Sequence, residues 1–324
     1  MDNVKAFQNK MNSLASRAVP FVFLIDFEKQ KPVIFSLDEA KEYQFFYHIA
    51  GKTNYAYKRC ATEIKPFLVH PVALQKYKKA FEKVSKHIKA GDSYLLNLTC
   101  QTRISTAHSL QDFFEAAKAP YKLMYQDEFV LFSPETFIKI QGNDVFSYPM
   151  KGTIDADIPN AEAIILSNQK ELFEHNTIVD LIRNDLSIIA ENVRVSKFRY
   201  IDKIKSERAN LLQVSSEIKG DLPANWQSNL AEMLFKLLPA GSISGAPKQK
   251  TLEIIQATES QKRGYYTGIF GIFDGQNLDT AVNIRYIEKT GKAMYYRSGG
   301  GITAMSKCKE EYNELKQKIY VPTH

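Results

Sequence analysis

Cysteine is scarce in this chain. Its 324 residues include only Cys60, Cys100 and Cys308. They are odd in number, far apart and without metal-ligand spacing, which excludes a disulfide framework and suits a reducing, cytoplasmic compartment. Long apolar runs are missing too. None approaches the roughly 20 residues that span a bilayer. The N-terminal stretch MDNVKAFQNKMNS is polar and has no signal-peptide core, so no membrane partner is expected. Charge is not blocked. The 43 basic and 36 acidic residues leave +7 spread along the sequence, which argues against a nucleic-acid tract and fits a small anionic substrate. There is no internal repeat, low-complexity segment or linker. The length can bury a sizeable core, and residues 1–324 read as one domain, with 1–70 the least informative part.

The most informative stretch is FSPETFIKIQGNDVFSYPMKGT, residues 132–153. Strand-like runs Thr136–Ile140 and Val145–Tyr148 flank the turn signal Gly142-Asn143-Asp144, which predicts a hairpin. Folded symmetrically about Asn143, it sets Glu135 opposite Lys151 on one side of the sheet. Pro134 and Pro149 mark where ladder pairing is interrupted. Gly152 lets the backbone approach a ligand closely. A facing Glu and Lys is either a solvated cross-strand ion pair or an acid and a nucleophile.

Elsewhere the periodicity gives alternating helices and strands. Leu74, Tyr77, Phe81, Val84 and Ile88 predict an amphipathic helix over 71–90. Ser93–Thr106, Tyr121–Gln126 and Phe129–Phe132 read as strands, with a short helix over Ser109–Lys118. A long helix is predicted over Gln169–Ala190, strand-like sequence over Val193–Lys219, and a helix over Trp226–Leu238. In PAGSISGAPK, residues 239–248, small residues lead into a helix starting near Pro247. The spacing around Lys248 is not that of a Walker motif, which leaves a packing turn or a ligand contact. Tyr265–Asp274, Leu278–Glu288 and Ala293–Ser298 read as strands. Gly299, Gly300 and Gly301 then lead into a helix over Ser306–Tyr320, where three glycines form either a linker or a nest of N–H groups for an anion. Glu171 and Glu174 share one helix face, as do Glu311 and Glu314. Each pair is a solvated face or part of an oxygen-only Mg²⁺ site.

Taken together and in order, GDSYLLNLT, SPETF, YPMKGT, KELFEHNTIVDLIRNDL, PAGSISGAPK, GYYTGIFG, DTAVNIR, SGGGIT and EEYNELKQK resemble the chorismate-utilising enzymes over roughly residues 72–320. The resemblance implies an α+β fold, a single large domain of two mostly antiparallel sheets packed as a sandwich with helices outside. Residues 71–324 would carry the site and 1–70 would be a shortened N-terminal part. It implies that Glu174 and Glu314 ligate Mg²⁺ directly, with Glu171 and Glu311 holding its waters. Arg285, Tyr266, Lys318 and the Gly299–Gly301 amides would hold the substrate's carboxylates. Ser242, Gly152 and Thr153 would line the ring pocket.

Within that family, Lys151 resembles the branch that aminates chorismate at C4, where the lysine is a covalent nucleophile. Other branches carry Ala there. Leu95 stands where water-adding relatives place a base lysine, and leucine cannot activate water. Two departures are Gln213, at the position of a His common in ammonia users, and Leu95 in place of a Gln. The tryptophan-binding element of some relatives is not visible. The implied reaction gives 4-amino-4-deoxychorismate, with Glu135 as the acid. Ammonia would come from a separate glutamine amidotransferase subunit, and a downstream aminodeoxychorismate lyase would lead toward 4-aminobenzoate and folate. The alternatives are an anthranilate synthase large subunit and, from another class, a non-catalytic anion-binding protein.

Overall fold

A computed structural model describes residues 2–57, 63–205 and 210–323; Cys60 lies outside the described residues. Among the described residues the chain forms two nine-stranded sheets with antiparallel pairings. In the first, the order is Met150–Asp155, Asn210–Asp221, Asp144–Ser147, Thr136–Gln141, Leu278–Val282, Ile269–Phe273, Phe21–Ile25 and Val33–Ser36, with Glu191–Lys205 also on Asn210–Asp221. In the second it is Gly245–Ala246, Leu95–Ser105, Ala293–Ile302, Tyr286–Thr290, Phe129–Ser133, Tyr121–Tyr125, Phe45–Ile49 and Lys52–Thr53, with Leu68–His70 on Leu95–Ser105.

Side-chain alternation builds the sandwich. Val22, Leu24, Phe270 and Ile272 of the first sheet pack with Phe45, Tyr47, Leu123 and Leu131 of the second. The opposite face of the first sheet, through Phe21, Phe23 and Phe273, packs on helices that contribute Phe7, Met11, Leu230 and Leu234. The outer face of the second is covered by Leu110, Phe113 and Phe114 of the helix Leu110–Ala116. That helix starts at a capping box in which the Ser109 side chain accepts from the Asp112 N–H and the Asp112 carboxylate accepts from the Ser109 N–H. Each fully buried Phe or Leu contributes roughly 1.5–3 kcal/mol. The helix Leu74–Lys89 buries Tyr77, Phe81, Val84 and Ile88, as their spacing requires, and leaves its first residue, Leu74, exposed. No helix among the described residues is long and apolar enough to cross a membrane.

Three expectations need correction. The hairpin turns on the two residues Gly142-Asn143, since Asp144 pairs with Gln141 and Phe146 with Lys139. Pairing stops near the prolines, and Met150–Asp155 then joins Asn210–Asp221, with Met150 opposite Ser215. Lys151 is therefore not the ladder partner of Glu135. The glycine run is not a nest before a helix. Gly299, Gly300 and Gly301 are strand residues paired with Thr99, Leu98 and Asn97, and the last helix starts later, at Cys308. The run Leu278–Glu288 is two strands in different sheets, broken where Arg285 takes a left-handed backbone, φ 53°. The polar N-terminus, to which the sequence reading assigned no element, is a helix, Asp2–Ser16, which buries Phe7, Met11 and Ala15.

That break shows where the sheets are bridged. The chain passes from the second sheet to the first at Pro134-Glu135, and from the first to the second at Asn283–Arg285. The two crossovers lie side by side: the Val282 N–H donates to the Glu135 carbonyl at 3.1 Å and the Phe132 N–H to the Arg285 carbonyl at 3.2 Å. Glu135 and Arg285, 150 residues apart in sequence, are thus neighbours at one seam.

Candidate active site

A cavity of about 280 Å³ opens at this seam, near the lower end of small-molecule sites. Lys151, Glu135, Arg285, Tyr266, Lys318, Ser242, Gly299, Gly300 and Gly301 line it. Leu95 is also in its wall. Gly152 and Thr153 are not. Thr153 is exposed and pairs across the ladder with Gln213.

Glu135 is half-buried in the cavity wall. Its Oε1 accepts a hydrogen bond from the Ser242 hydroxyl at 2.7 Å. Burial pushes its carboxyl above the ordinary range, against the opposing pull of the Ser242 hydrogen bond and of Lys151 and Lys318. With Oε1 engaged by a donor, Oε2 is the oxygen left to carry a proton. Lys151 reaches the same cavity from the strand Met150–Asp155, and its Nζ sits 3.3 Å from Glu174 Oε2. Both side chains are about one-third exposed, so solvent weakens this ion pair.

A cationic corner faces them. Beyond Arg297 the strand Ala293–Ile302 loses its Tyr286–Thr290 neighbour, so one edge is open. The Gly299 carbonyl points to that edge and accepts from Lys318 Nζ at 3.0 Å. In an antiparallel ladder a residue's N–H and C=O share a side. The Gly299 and Gly301 N–H groups therefore point to the open edge, where they can donate to an anion. Arg285 Nη1 donates to the Lys318 carbonyl at 3.1 Å, and its guanidinium lies 4.4 Å from the centre of the Tyr320 ring. Tyr266 is buried, which raises its phenol and keeps the hydroxyl a donor.

The four helix glutamates stand around this cavity rather than in its wall. Glu174 meets Lys151, and Glu314 meets Lys318 at 2.8 Å. Glu171 and Glu311 lie against glycines: a Cβ on Gly152 or Gly300 would come within 3.3 Å of their Oε2 atoms. Gly152 also has φ +79°, a backbone that glycine favours. These are hard oxygen donors of the type Mg²⁺ takes, in spaces that side chains at 152 and 300 would fill. Among the described residues, no three acidic, His or Cys side chains are gathered to share one ion.

Sequence reasoning gave no role to Asp185 and Arg297, which line the cavity, or to Lys248 and His175 beside it. Asp185 is paired with Lys248 at 2.9 Å. Arg297 is held by Glu288 at 2.6 Å. His175 is buried against the Ser216 hydroxyl at 2.6 Å, and burial with Arg199 and Lys151 lowers it to about 4. Asp185, Lys248 and His175 lie inside the matching strings and Arg297 directly before one, but the role of each depends on its partners in the fold.

The turn that carries Ser242 is sealed by Gly245. A Cβ there would lie 1.9 Å from the Leu95 carbonyl oxygen. Replacing Gly245 with Ala must part the Gly245–Ala246 strand from Leu95–Leu96. We expect a loss of about 3 kcal/mol or more in urea unfolding, at the upper end for single substitutions; an unchanged midpoint would contradict this close approach.

Comparison with known proteins agrees with the geometry. Residues 54–324 match the family model described as chorismate binding enzyme. An uncharacterized PabA-like protein of Pasteurella multocida is 50% identical over 99% of both chains. Aminodeoxychorismate synthase component 1 of Bacillus subtilis is 32% identical over 75% of this chain and 54% of its own length. Anthranilate synthase component 1 of Archaeoglobus fulgidus is also 32% identical, over 76% and 61%. The chain thus spans little more than half of these two relatives with named activities. The solved menaquinone-specific isochorismate synthase of Escherichia coli shares the fold, with a TM-score of 0.74 at 16% identity over 98% of this chain and 80% of that one.

Proposed function

The chain belongs to the chorismate binding enzyme family, and from that premise we propose that it replaces the C4 hydroxyl of chorismate with an amino group, as an aminodeoxychorismate synthase. The observation that carries this reading is that Lys151 and Glu135 line one cavity with the cationic Arg285 and Lys318 and the open edge at Gly299. Chorismate is a dianion. The Arg285 fork, Lys318 and the Gly299 and Gly301 N–H groups suit its carboxylates. Tyr266 and Ser242 complete the wall.

Hydroxide is a poor leaving group, so C4–O cleavage needs a proton. Glu135, whose carboxyl is raised by burial, supplies it from Oε2 and water departs. Lys151 Nζ, once it has released its ammonium proton to water, forms a bond to C2 while the ring double bonds shift. Ammonia then adds at C4, the double bonds shift back, and the C2–N bond breaks to return the Lys151 amine. The surplus ammonium proton is left to the Glu135 carboxylate, which restores the acid. Mg²⁺, held by Glu174 and Glu314 directly and by Glu171 and Glu311 through water, would offset the charge of the ring carboxylate and fix the ring. Ammonia would come from a separate glutamine amidotransferase. The relatives named as component 1 of an aminodeoxychorismate synthase support such a partner. The product would pass to a lyase on the way to 4-aminobenzoate.

The metal assignment has its own test. Glu174→Gln should weaken Mn²⁺ binding, read by electron paramagnetic resonance, by at least about tenfold, as expected for a lost charged ligand. An unaltered Mn²⁺ isotherm would take Glu174 out of the metal shell. Amination at C2 to the anthranilate isomer is the second reading, favoured by the equal identity to an anthranilate synthase. Purified chain with chorismate, ammonium and Mg²⁺ separates the two. Mass analysis and lyase coupling should identify 4-amino-4-deoxychorismate; anthranilate alone would sink the first reading.

A further inference from the structure

Ser242 touches Glu135 from a four-residue turn, Gly241–Ser244. So short an element has little stability of its own and takes its position from neighbours. One side of it is fastened at the Ile243 carbonyl, which accepts from Asn97 Nδ2 and Arg263 Nη1, each at 3.0 Å. The side that leads directly into Ser242 is held differently. The Gly241 backbone lies directly against the carboxylate of Asp185, on the helix Gln169–Leu186. The approach is close: a Cβ on Gly241 would lie 2.9 Å from Asp185 Oδ2 and 2.9 Å from Leu181 Cγ. Lys248 Nζ anchors the same carboxylate at 2.9 Å while donating to the Leu237 carbonyl at 2.6 Å. A carboxylate this enclosed persists beside the cavity only with such partners.

We infer that Asp185 is a positioning residue for the acid: by packing against Gly241 and holding the Lys248 ammonium, it sets the Ser242 hydroxyl against Oε1 of Glu135 and so directs the Glu135 proton to Oε2. This deepens, and rests on, the proposed role of Glu135. The contacts form one series across three elements, Lys248 to Asp185, Asp185 to Gly241, and Ser242 to Glu135. The charged groups that share the cavity with Glu135 are Lys151, Lys318, Arg285, Arg297 and Asp185 itself. Of these, Lys151 and Lys318 act on Glu135 directly.

The direction of the effect separates positioning from simple charge. Removing a nearby negative charge eases ionisation of Glu135 and lowers its titration. Losing the Ser242 hydrogen bond removes a donor that favours the carboxylate and raises it. The experiment is a double-mutant cycle of Asp185→Asn and Ser242→Ala in the full chain. Glu135 titration is followed by carbon-13 NMR of carboxyl-labelled glutamate, with Glu135→Gln identifying the resonance. The turnover number and KM for chorismate are measured alongside. We expect each single variant to move the titration to higher pH and the double variant to move it no further, since the two act through one bond. Turnover by Asp185→Asn should fall about tenfold with KM little changed, the pattern of an interaction used in the transition state. Gly241→Ala, which displaces the turn without altering charge, should move the titration the same way and serves if Asp185→Asn does not fold. A downward or absent shift in Asp185→Asn, or additive shifts in the double variant, would overturn the inference. If the wild-type chain fails to aminate chorismate, the proposed reaction fails. The titration still decides whether Asp185 sets the Ser242–Glu135 contact.

Discussion

Replacing Lys151 with Ala should reduce formation of 4-amino-4-deoxychorismate at least about a thousandfold, or some 4 kcal/mol of barrier at 1.36 kcal/mol per decade. The reason is the geometry of the reaction. A nucleophile at C2 drives out the C4 hydroxyl and blocks C2, so ammonia is left to add at C4. Without it, the cavity retains Glu135 and the cationic corner, and ammonia can attack C2 itself. The residual product of Lys151→Ala should therefore be enriched in the ortho-amino isomer. Stability should barely change, because the Lys151–Glu174 pair is one-third exposed and pairs of that kind contribute about 0–1 kcal/mol. Product identification by mass and chromatography checks both points. A variant that makes the wild-type product at the wild-type rate rules out the covalent role.

Replacing Glu135 with Gln should lower turnover by about 10²–10⁴-fold, the usual contribution of a positioned acid. Gln has the same shape and can still accept from Ser242, so KM for chorismate should change little. The pH dependence follows from the raised carboxyl. The wild-type rate should fall as pH rises through the Glu135 titration, and that alkaline limb should be missing from the residual activity of the variant. The same shift acts on stability. Below the ordinary carboxylate range Glu135 is protonated in both folded and unfolded chains. As pH rises, the unfolded chain ionises first, and the folded chain loses stability until its own Glu135 ionises. Glu135→Gln lacks this loss. Its melting temperature should gain on the wild type between the ordinary carboxylate range and the higher Glu135 titration, then hold a constant difference. A difference independent of pH across that window would contradict a raised Glu135.

Local patterns made most of the fold legible. The helix Leu74–Lys89 was written in the spacing of Tyr77, Phe81, Val84 and Ile88, and Pro134 and Pro149 marked real interruptions of the ladder. The errors came where a non-local partner decides. The residues Gly142-Asn143-Asp144 allow more than one turn, and one residue of register changes what Glu135 faces. Lys151 and Glu135 line one cavity all the same, through a strand change rather than a ladder pairing. Gly299–Gly301 looks like a linker or a nest in isolation. Only the strand Leu95–Ser105 makes it a ladder with one open edge. The apolar run from Leu278 to Glu288 hides a change of sheet at Asn283–Arg285, because burial in either sheet demands the same residue types. Asp185 lay in plain view within RNDL, yet its partners Gly241 and Lys248 are more than fifty residues away. The carboxylate faces were legible as faces. What they hold depends on how the two helices meet around the cavity.

The most direct test is intact-protein and peptide mass spectrometry of the wild-type chain given chorismate and Mg²⁺ while ammonia is withheld. We predict a chain heavier by one chorismate less one water, with the added mass on the peptide containing Lys151, and its disappearance when ammonium is supplied. An unmodified Lys151 in a preparation that goes on to form 4-amino-4-deoxychorismate would contradict the account.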